Sequence, residues 1–156
     1  MGREYFREVQ YFHWLVNLLL AGVILLLLER FLRQEDLVAG GILLLLLFSI
    51  ALLFRMETVI DEEAVTVTFG WLGWIRKRLP LADIASYEVV TFNPLWDFGG
   101  WGIRYGRGGV RCYNTQGNRG VRLTTSRQTI VIGSQRPEEL AVALRAALAE
   151  GGGGET

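Results

Sequence analysis

Residues 11–54 read YFHWLVNLLLAGVILLLLERFLRQEDLVAGGILLLLLFSIALLF: two apolar runs, Tyr11–Leu28 and Leu37–Phe54, on either side of a short charged connection. At ~1.5 Å rise per residue a helix over either run is about 27 Å long, close to the ~30 Å hydrocarbon core of a bilayer. Val23–Leu28 and Ile42–Phe48 carry no polar side chain at all. A buried helix of a soluble core keeps a polar stripe toward water, and neither run has one wide enough. The expectation is a transmembrane helical hairpin within residues 1–55, with helices over about 11–28 and 37–54; two core helices of a soluble protein are the competing reading.

The flanks say how such a hairpin would sit. Arg3 and Arg7 are offset by Glu4 and Glu8, and Glu29–Arg33 offers no small-residue cleavage site, so the first run is expected to stay as an anchor. Phe6 stands where an N-myristoylation motif beginning at Gly2 needs Ser or Thr. Arg30 and Arg33 lie in the connection, whereas Arg3, Arg7 and Arg55 lie on the opposite side, with Arg76, Lys77 and Arg78 beyond. The margin favours both termini in the cytoplasm. A single cysteine, Cys112, cannot form an intramolecular disulfide, which suits a reducing compartment.

After residue 55 the period changes. Val65, Val67 and Phe69 alternate with Thr66 and Thr68, the mark of a half-buried strand. Gly70-Trp71-Leu72-Gly73 turns the chain into a second strand, Trp74–Leu79, ended by Pro80. Ile84–Phe92, Trp101–Tyr105, Val110–Tyr113, Val121–Thr125 and Thr129–Gly133 read as further strands, separated by glycine-, asparagine- and proline-bearing breaks. Asn93–Gly100 reads as a loop. Pro137 suits a first helical position, Glu138 and Glu139 favour the positive end of the helix dipole, and Leu140, Leu144 and Leu148 recur every four residues. The expected domain, 56–149, is all-β: about seven antiparallel strands followed by one amphipathic helix, with 150–156 a flexible glycine-rich tail.

Two stretches carry a resemblance. Val65–Ile84 is similar to the strand–Gly–strand–Pro–Asp-Ile segment of bacterial PH-like domains. Gly100–Arg104, Tyr113-Asn114 with Gly117, and Ile132-Gly133-Ser134 with Pro137-Glu138 and Leu140 resemble the second half of the same domains. The resemblance covers about Glu57 to Leu148 and implies a bent sandwich or barrel plugged by its C-terminal helix. It also implies a preceding membrane hairpin and a home in the bacterial plasma membrane. Its motifs are turn glycines and a helix start, so they speak to fold rather than activity. Phosphoinositide binding does not carry over, because the lysine-rich first-hairpin motif is missing.

Chemistry is sparse. No Walker-type loop, HExxH, GxSxG or CxxC motif occurs. His13 beside Trp14 reads as an interfacial residue, and Cys112 as a small core residue. Gly100–Gly106 lacks the GxGxxG spacing, so no nucleotide cofactor is expected. Asp61-Glu62-Glu63 reads as a solvated turn rather than a metal site. Trp14, Trp71 and Trp74 are candidate membrane-interface residues, and Arg76, Lys77 and Arg78 candidate contacts for anionic headgroups. The alternative buries Trp74 in the core and leaves the cations to water. No acid interrupts Asp97 to Glu138, which adds Arg104 and Arg122 as candidate anion contacts; acids on neighbouring strands could equally neutralise that face. In the hairpin, Asn17 is expected level with Phe48 or Ser49 and bonded to Ser49, with Gly22 and the pair Gly40-Gly41 letting the helices approach.

The expected function is non-enzymatic: a cytoplasmic binding module held at the membrane, contacting membrane lipids or a protein partner. The alternative is a subunit or assembly factor of a larger membrane complex or homo-oligomer. A membrane enzyme would need an acid–base or nucleophile pair, and none can be assembled. Neither nucleic acid nor a metal is expected as a partner.

Overall fold

The computed structural model describes residues 3–151; Gly2 and residues 152–156 of the expected tail lie outside the described residues. The chain opens with a strand, β1 (Glu4–Tyr11), before helices α1 (Trp14–Gln34) and α2 (Leu37–Leu53). It then returns through β2 (Arg55–Asp61), β3 (Ala64–Phe69) and β4 (Ile75–Pro80). β5 (Ile84–Thr91), a short helix α3 (Pro94–Phe98), β6 (Gly102–Tyr105), β7 (Arg111–Asn114), β8 (Arg119–Thr125), β9 (Thr129–Gly133) and α4 (Pro137–Gly151) complete it.

All seven strands expected from the alternation are present, and two more precede them. The strands form one sheet in the order β1-β2-β3-β4 and a second in the order β5-β8-β9-β7-β6. Every pairing is antiparallel except β7 with β9, which run parallel because β8 turns back into β9 between them. This corrects the expected all-antiparallel arrangement. The inner faces share one core. Met56, Ile60, Val67 and Phe69 from the first sheet meet Tyr113, Val121, Leu123 and Ile132 from the second, closed by Leu140 and Leu144 of α4. Phe69 and Tyr113 touch across the sheets with ring centroids 6.2 Å apart.

β1 is the larger revision. Tyr11, expected inside the first helix, instead pairs with Arg55, and Gln10 with Met56. Phe6, Glu8 and Gln10 face inward, while Arg7, Val9 and Tyr11 face out. The two inward polar groups are satisfied: Ser134 Oγ donates to Glu8 at 2.6 Å, and Gln10 Nε2 donates to the Gly133 carbonyl at 2.8 Å. Without such partners each buried polar group would cost roughly 1–3 kcal/mol. The helix pair is therefore an insertion between two neighbouring strands of one sheet, and the boundary at residue 55 does not separate two folding units. Paired residues in an antiparallel ladder lie about 4.5–5.5 Å apart, so α1 departs from the spot where α2 returns.

α1 is also longer than the apolar run. It continues through Glu29–Gln34, where Glu29 and Arg33 form an (i, i+4) ion pair at 3.5 Å. By length and composition this 21-residue helix is apolar enough to cross a bilayer, while α2, at 17 residues, falls short of that length. The connection shrinks to Glu35-Asp36, with Glu35 at φ 50° and Asp36 accepting from the backbone N–H of Val38 and Ala39. Val16, Leu20, Ile24 and Leu27 of α1 face α2 half-buried; no residue of α1 is fully buried, and only Ala39 and Leu43 of α2 are. Outside that seam the helices present leucines to the surroundings, such as Leu19 and Leu44, each 71% exposed.

Candidate functional site

The sandwich has two ends, and one of them is fastened to the helices. At that near end the β3–β4 turn folds under the last turn of α2. The backbone N–H of Trp71 donates to the Ala51 carbonyl at 3.0 Å, and that of Gly70 to Arg55 at 2.6 Å. A helix leaves its last four carbonyls unpaired, so this turn acts as a cap supplied from a distant strand. Only glycine fits at 70. Its φ is +74°, and a Cβ there would lie 2.3 Å from the Leu52 carbonyl oxygen.

The cap fixes where the tryptophans go. Trp71 is 56% and Trp74 69% exposed, so Trp74 does not alternate into the core. Its ring instead packs edge-on against Phe48, with centroids 6.2 Å apart. Phe48 lies about 8 Å along the axis from the end of α2, so the turn reaches up beside the helix. Trp14, 63% exposed, opens α1 at the same end, next to His13, whose Nδ1 accepts from the Leu15 N–H at 3.3 Å. Phe12 stacks on Phe54 between the two helix ends. Trp14, Trp71 and Trp74 thus all lie at the near end, exposed beside the foot of the helix pair.

The basic candidates do not gather with them as one cluster. Alternation along β4 sends Arg76 and Arg78 to one face and Lys77 to the other, since Arg76 and Arg78 lie opposite Thr68 and Thr66, and Lys77 opposite Val67. Arg78 is ion-paired with Glu63. Lys77 lines a cavity of about 170 Å³ with Asp83 and Arg127. Arg76 remains at the turn: a Cβ on Gly73 would lie 3.9 Å from its Nη2. In the second sheet, Arg122 is paired with Glu88 at 2.7 Å and lines a pocket on the outer face with Trp96 and Arg107. The register Arg122–Val131–Cys112–Arg104 separates Arg122 from Arg104 by three strand spacings, roughly 14 Å. Arg119 pairs with Glu138 and holds that carboxyl below its ordinary range.

A site that sequence reading missed lies at the same near end. A groove of about 330 Å³ is lined by Phe12, Leu53, Phe69, Trp101, Gly102, Ile103 and Arg104. Phe12 and Leu53 come from the two ends of the helix pair, and Trp101–Arg104 from the edge strand of the second sheet. Arg104 Nε donates to the Trp101 carbonyl at 2.9 Å. Among the described residues none of the ion pairs includes Arg104. No local pattern announces this groove, because its walls are some forty to fifty positions apart; the acid-free stretch around Arg104 was the only signal.

In the helix pair, Asn17 is exposed and no hydrogen bond joins it to Ser49, whose hydroxyl donates to the Leu45 carbonyl at 2.8 Å. The shorter connection explains the shift, because Phe31 packs over Gly40, where a Cβ would lie 2.7 Å from the ring. A Cβ on Gly22 or Gly41 would meet nothing within 4 Å, so of the three expected glycines only Gly40 supplies a close approach. Cys112 is buried, and desolvation pushes its thiol up to about 12. A thiol so raised is a poor nucleophile. Among the described residues no group of His, Cys, Asp and Glu could hold a metal ion.

Compared with known proteins, the chain matches no family model and no curated sequence.

Proposed function

We propose that this chain is an integral membrane protein whose helix pair spans the bilayer and whose sandwich, a PH-like module, rests by its near end on the cytoplasmic leaflet as a non-enzymatic lipid-contacting module. The observation that carries this reading is the β3–β4 turn capping α2, which sets exposed Trp71 and Trp74 beside the foot of two helices sheathed in exposed leucine. Indole rings favour the headgroup zone, where an apolar body and a polar N–H are both accommodated. Arg76 and Arg104, in no ion pair among the described residues, would meet anionic lipid at this end, each cation near such a surface contributing about 1 kcal/mol.

Both ends of the helix pair enter adjacent strands, so the two termini share one side, and the distribution of arginines favours the cytoplasm for it. The PH-like assignment is supported by two stacked sheets closed by a C-terminal helix packed against both; the parallel β7–β9 pair is a departure from an antiparallel meander. Alkaline carbonate extraction tests the anchor: the full chain stays in the membrane pellet. A reporter active only in the cytoplasm, fused after residue 156, tests the orientation. Release into the supernatant contradicts the first claim, and a silent reporter the second.

A second reading, a subunit of a larger membrane assembly, is favoured by Asn17. Its amide lies on the outer face of α1, and an amide facing lipid gains from a partner helix. Crosslinking between chains through Asn17→Cys, in a Cys112→Ala background, would support it.

A further inference from the structure

We infer that the groove at the foot of the helix pair is a binding site for one anionic glycerophospholipid, its phosphate on Arg104 and the first part of an acyl chain against Phe12 and Leu53. This rests on the membrane reading above and names the ligand of its near end. The volume, about 330 Å³, lies in the ~300–1,000 Å³ range of small-molecule sites. Its chemistry is divided along its length. Phe12, Leu53 and Phe69 are apolar and belong to the helix ends and the strand beside them, whereas Arg104 is a cation with no carboxylate partner among the described residues. An amphiphile with a charged head and an apolar tail has the same division.

Arg104 is positioned rather than loose. The Nε–H···O=C bond to Trp101 fixes the plane of the guanidinium, leaving its terminal N–H groups for an anion. A planar fork of donors suits phosphate oxygens, and such charge-assisted bonds are about twice as strong as neutral ones. Glycine stands at 100 and 102, beside the guanidinium and in the groove wall. Both have positive φ, +131° and +97°; a Cβ on Gly100 would come within 3.8 Å of Arg104 Nη2, and one on Gly102 would meet nothing within 4 Å. Trp101 supplies both the carbonyl that orients Arg104 and one wall of the groove. Two other candidate pockets lack this combination: Arg122 is already paired with Glu88 and its pocket is lined by Asp97, and the Lys77 cavity is lined by Asp83.

The test uses the full chain in maltoside micelles, titrated with phosphatidylglycerol or phosphatidylcholine, with lipids retained per chain counted by native mass spectrometry. One phosphatidylglycerol is expected to be retained in preference to phosphatidylcholine. Arg104→Gln should weaken phosphatidylglycerol by about tenfold or more and remove the preference, while Arg104→Lys keeps part of it and Arg127→Gln, at the opposite end, changes nothing. Excess inorganic phosphate should fail to displace the lipid. Equal retention of both lipids, no effect of Arg104→Gln in a variant with an unchanged melting curve, or displacement by inorganic phosphate would each overturn the site. Carbonate extraction of the same preparations separates the two claims: lipid selectivity lost while the chain still pellets contradicts the groove alone.

Discussion

The two ends of the sandwich are built from the same kinds of loop and carry opposite chemistry. The far end holds the β2–β3 turn with Glu62 and Glu63, the Leu81–Asp83 turn, the Ser126–Gln128 turn and the end of α4, where Glu150 accepts from Arg3 and Tyr5. Two of its turns are closed by their own side chains: Asp61 accepts from the N–H of Glu63 and Ala64, and Thr125 Oγ1 from those of Arg127 and Gln128. The near end holds Gly70–Trp74, with no charged residue, and its backbone N–H groups donate to Ala51 of α2 and to Arg55 at the start of β2. The far-end turns bond to themselves, to one another and to Arg3 and Arg78, and carry acids outward; the near-end turn is bonded to α2 and leaves the side chains of Trp71, Leu72 and Trp74 exposed. The proposed placement of the bilayer at the near end rests on that asymmetry.

The difference can be broken most severely at β1. Removing residues 3–11 strips the first sheet of an outer strand, Phe6 of the core, and the partners of Ser134 and Gly133. Loss of cooperative folding is expected, since total stability is only about 5–15 kcal/mol. Replacing residues 12–54 by Asn-Gly, which suits a two-residue hairpin between Tyr11 and Arg55, should instead leave a folded domain. Denaturant unfolding of the two variants side by side distinguishes an inserted hairpin from a preceding one: a cooperative transition in the first and none in the second would contradict the insertion.

A smaller effect comes from single glycines at the two ends. Gly70→Ala must place a Cβ 2.3 Å from a backbone oxygen at φ +74°, and more than about 2 kcal/mol is expected. Gly108→Ala at the far end has the same φ of +74° but open space, so only the left-handed cost of roughly 1–2 kcal/mol remains. Thermal melts of both variants measure the gap; equal shifts would mean that the helix cap adds nothing.

Smaller again is the alkaline response of Cys112. Its thiol keeps its proton up to about 12 in the fold, against an ordinary value near 9. Between those values the unfolded chain binds fewer protons, so stability falls as the pH rises through that window. Cys112→Ala should flatten this part of the pH–stability curve. At pH 8 a thiol reagent should label the native protein far more slowly than the denatured one, in line with burial beneath the outer face of the second sheet.

How much of this could be read from the chain varies with how local the signal is. Val65–Phe69 and Val121–Thr125 alternate cleanly because one face meets the core and the other meets water. β1 hides because its pattern is reversed: Glu8 and Gln10 point inward, and their partners lie more than a hundred residues away. The end of α1 hides because Glu29–Gln34 is polar, although an (i, i+4) pair and good helix formers continue the helix there. The exposure of Trp71 and Trp74 was half legible: aromatic residues around a glycine turn suggest an outward pair, but the alternation of the following strand allowed Trp74 a place in the core. The Arg76–Arg78 run was misleading because the two-residue period of a strand divides it. The Arg104 groove depends on residues 12, 53, 69 and 101 meeting, which no local window contains.

The central claim is that the near end, and not the far end, lies at the bilayer surface. Spin labels at Leu72→Cys and Glu62→Cys, each in a Cys112→Ala background of the full chain reconstituted into phosphatidylcholine–phosphatidylglycerol bilayers, compare the two turns directly. Accessibility to oxygen, which concentrates in lipid, against a water-soluble nickel chelate measures the depth of each label. The expected result is a lipid-side signal at 72 and a fully aqueous one at 62. Equal aqueous exposure at both positions would contradict the claim.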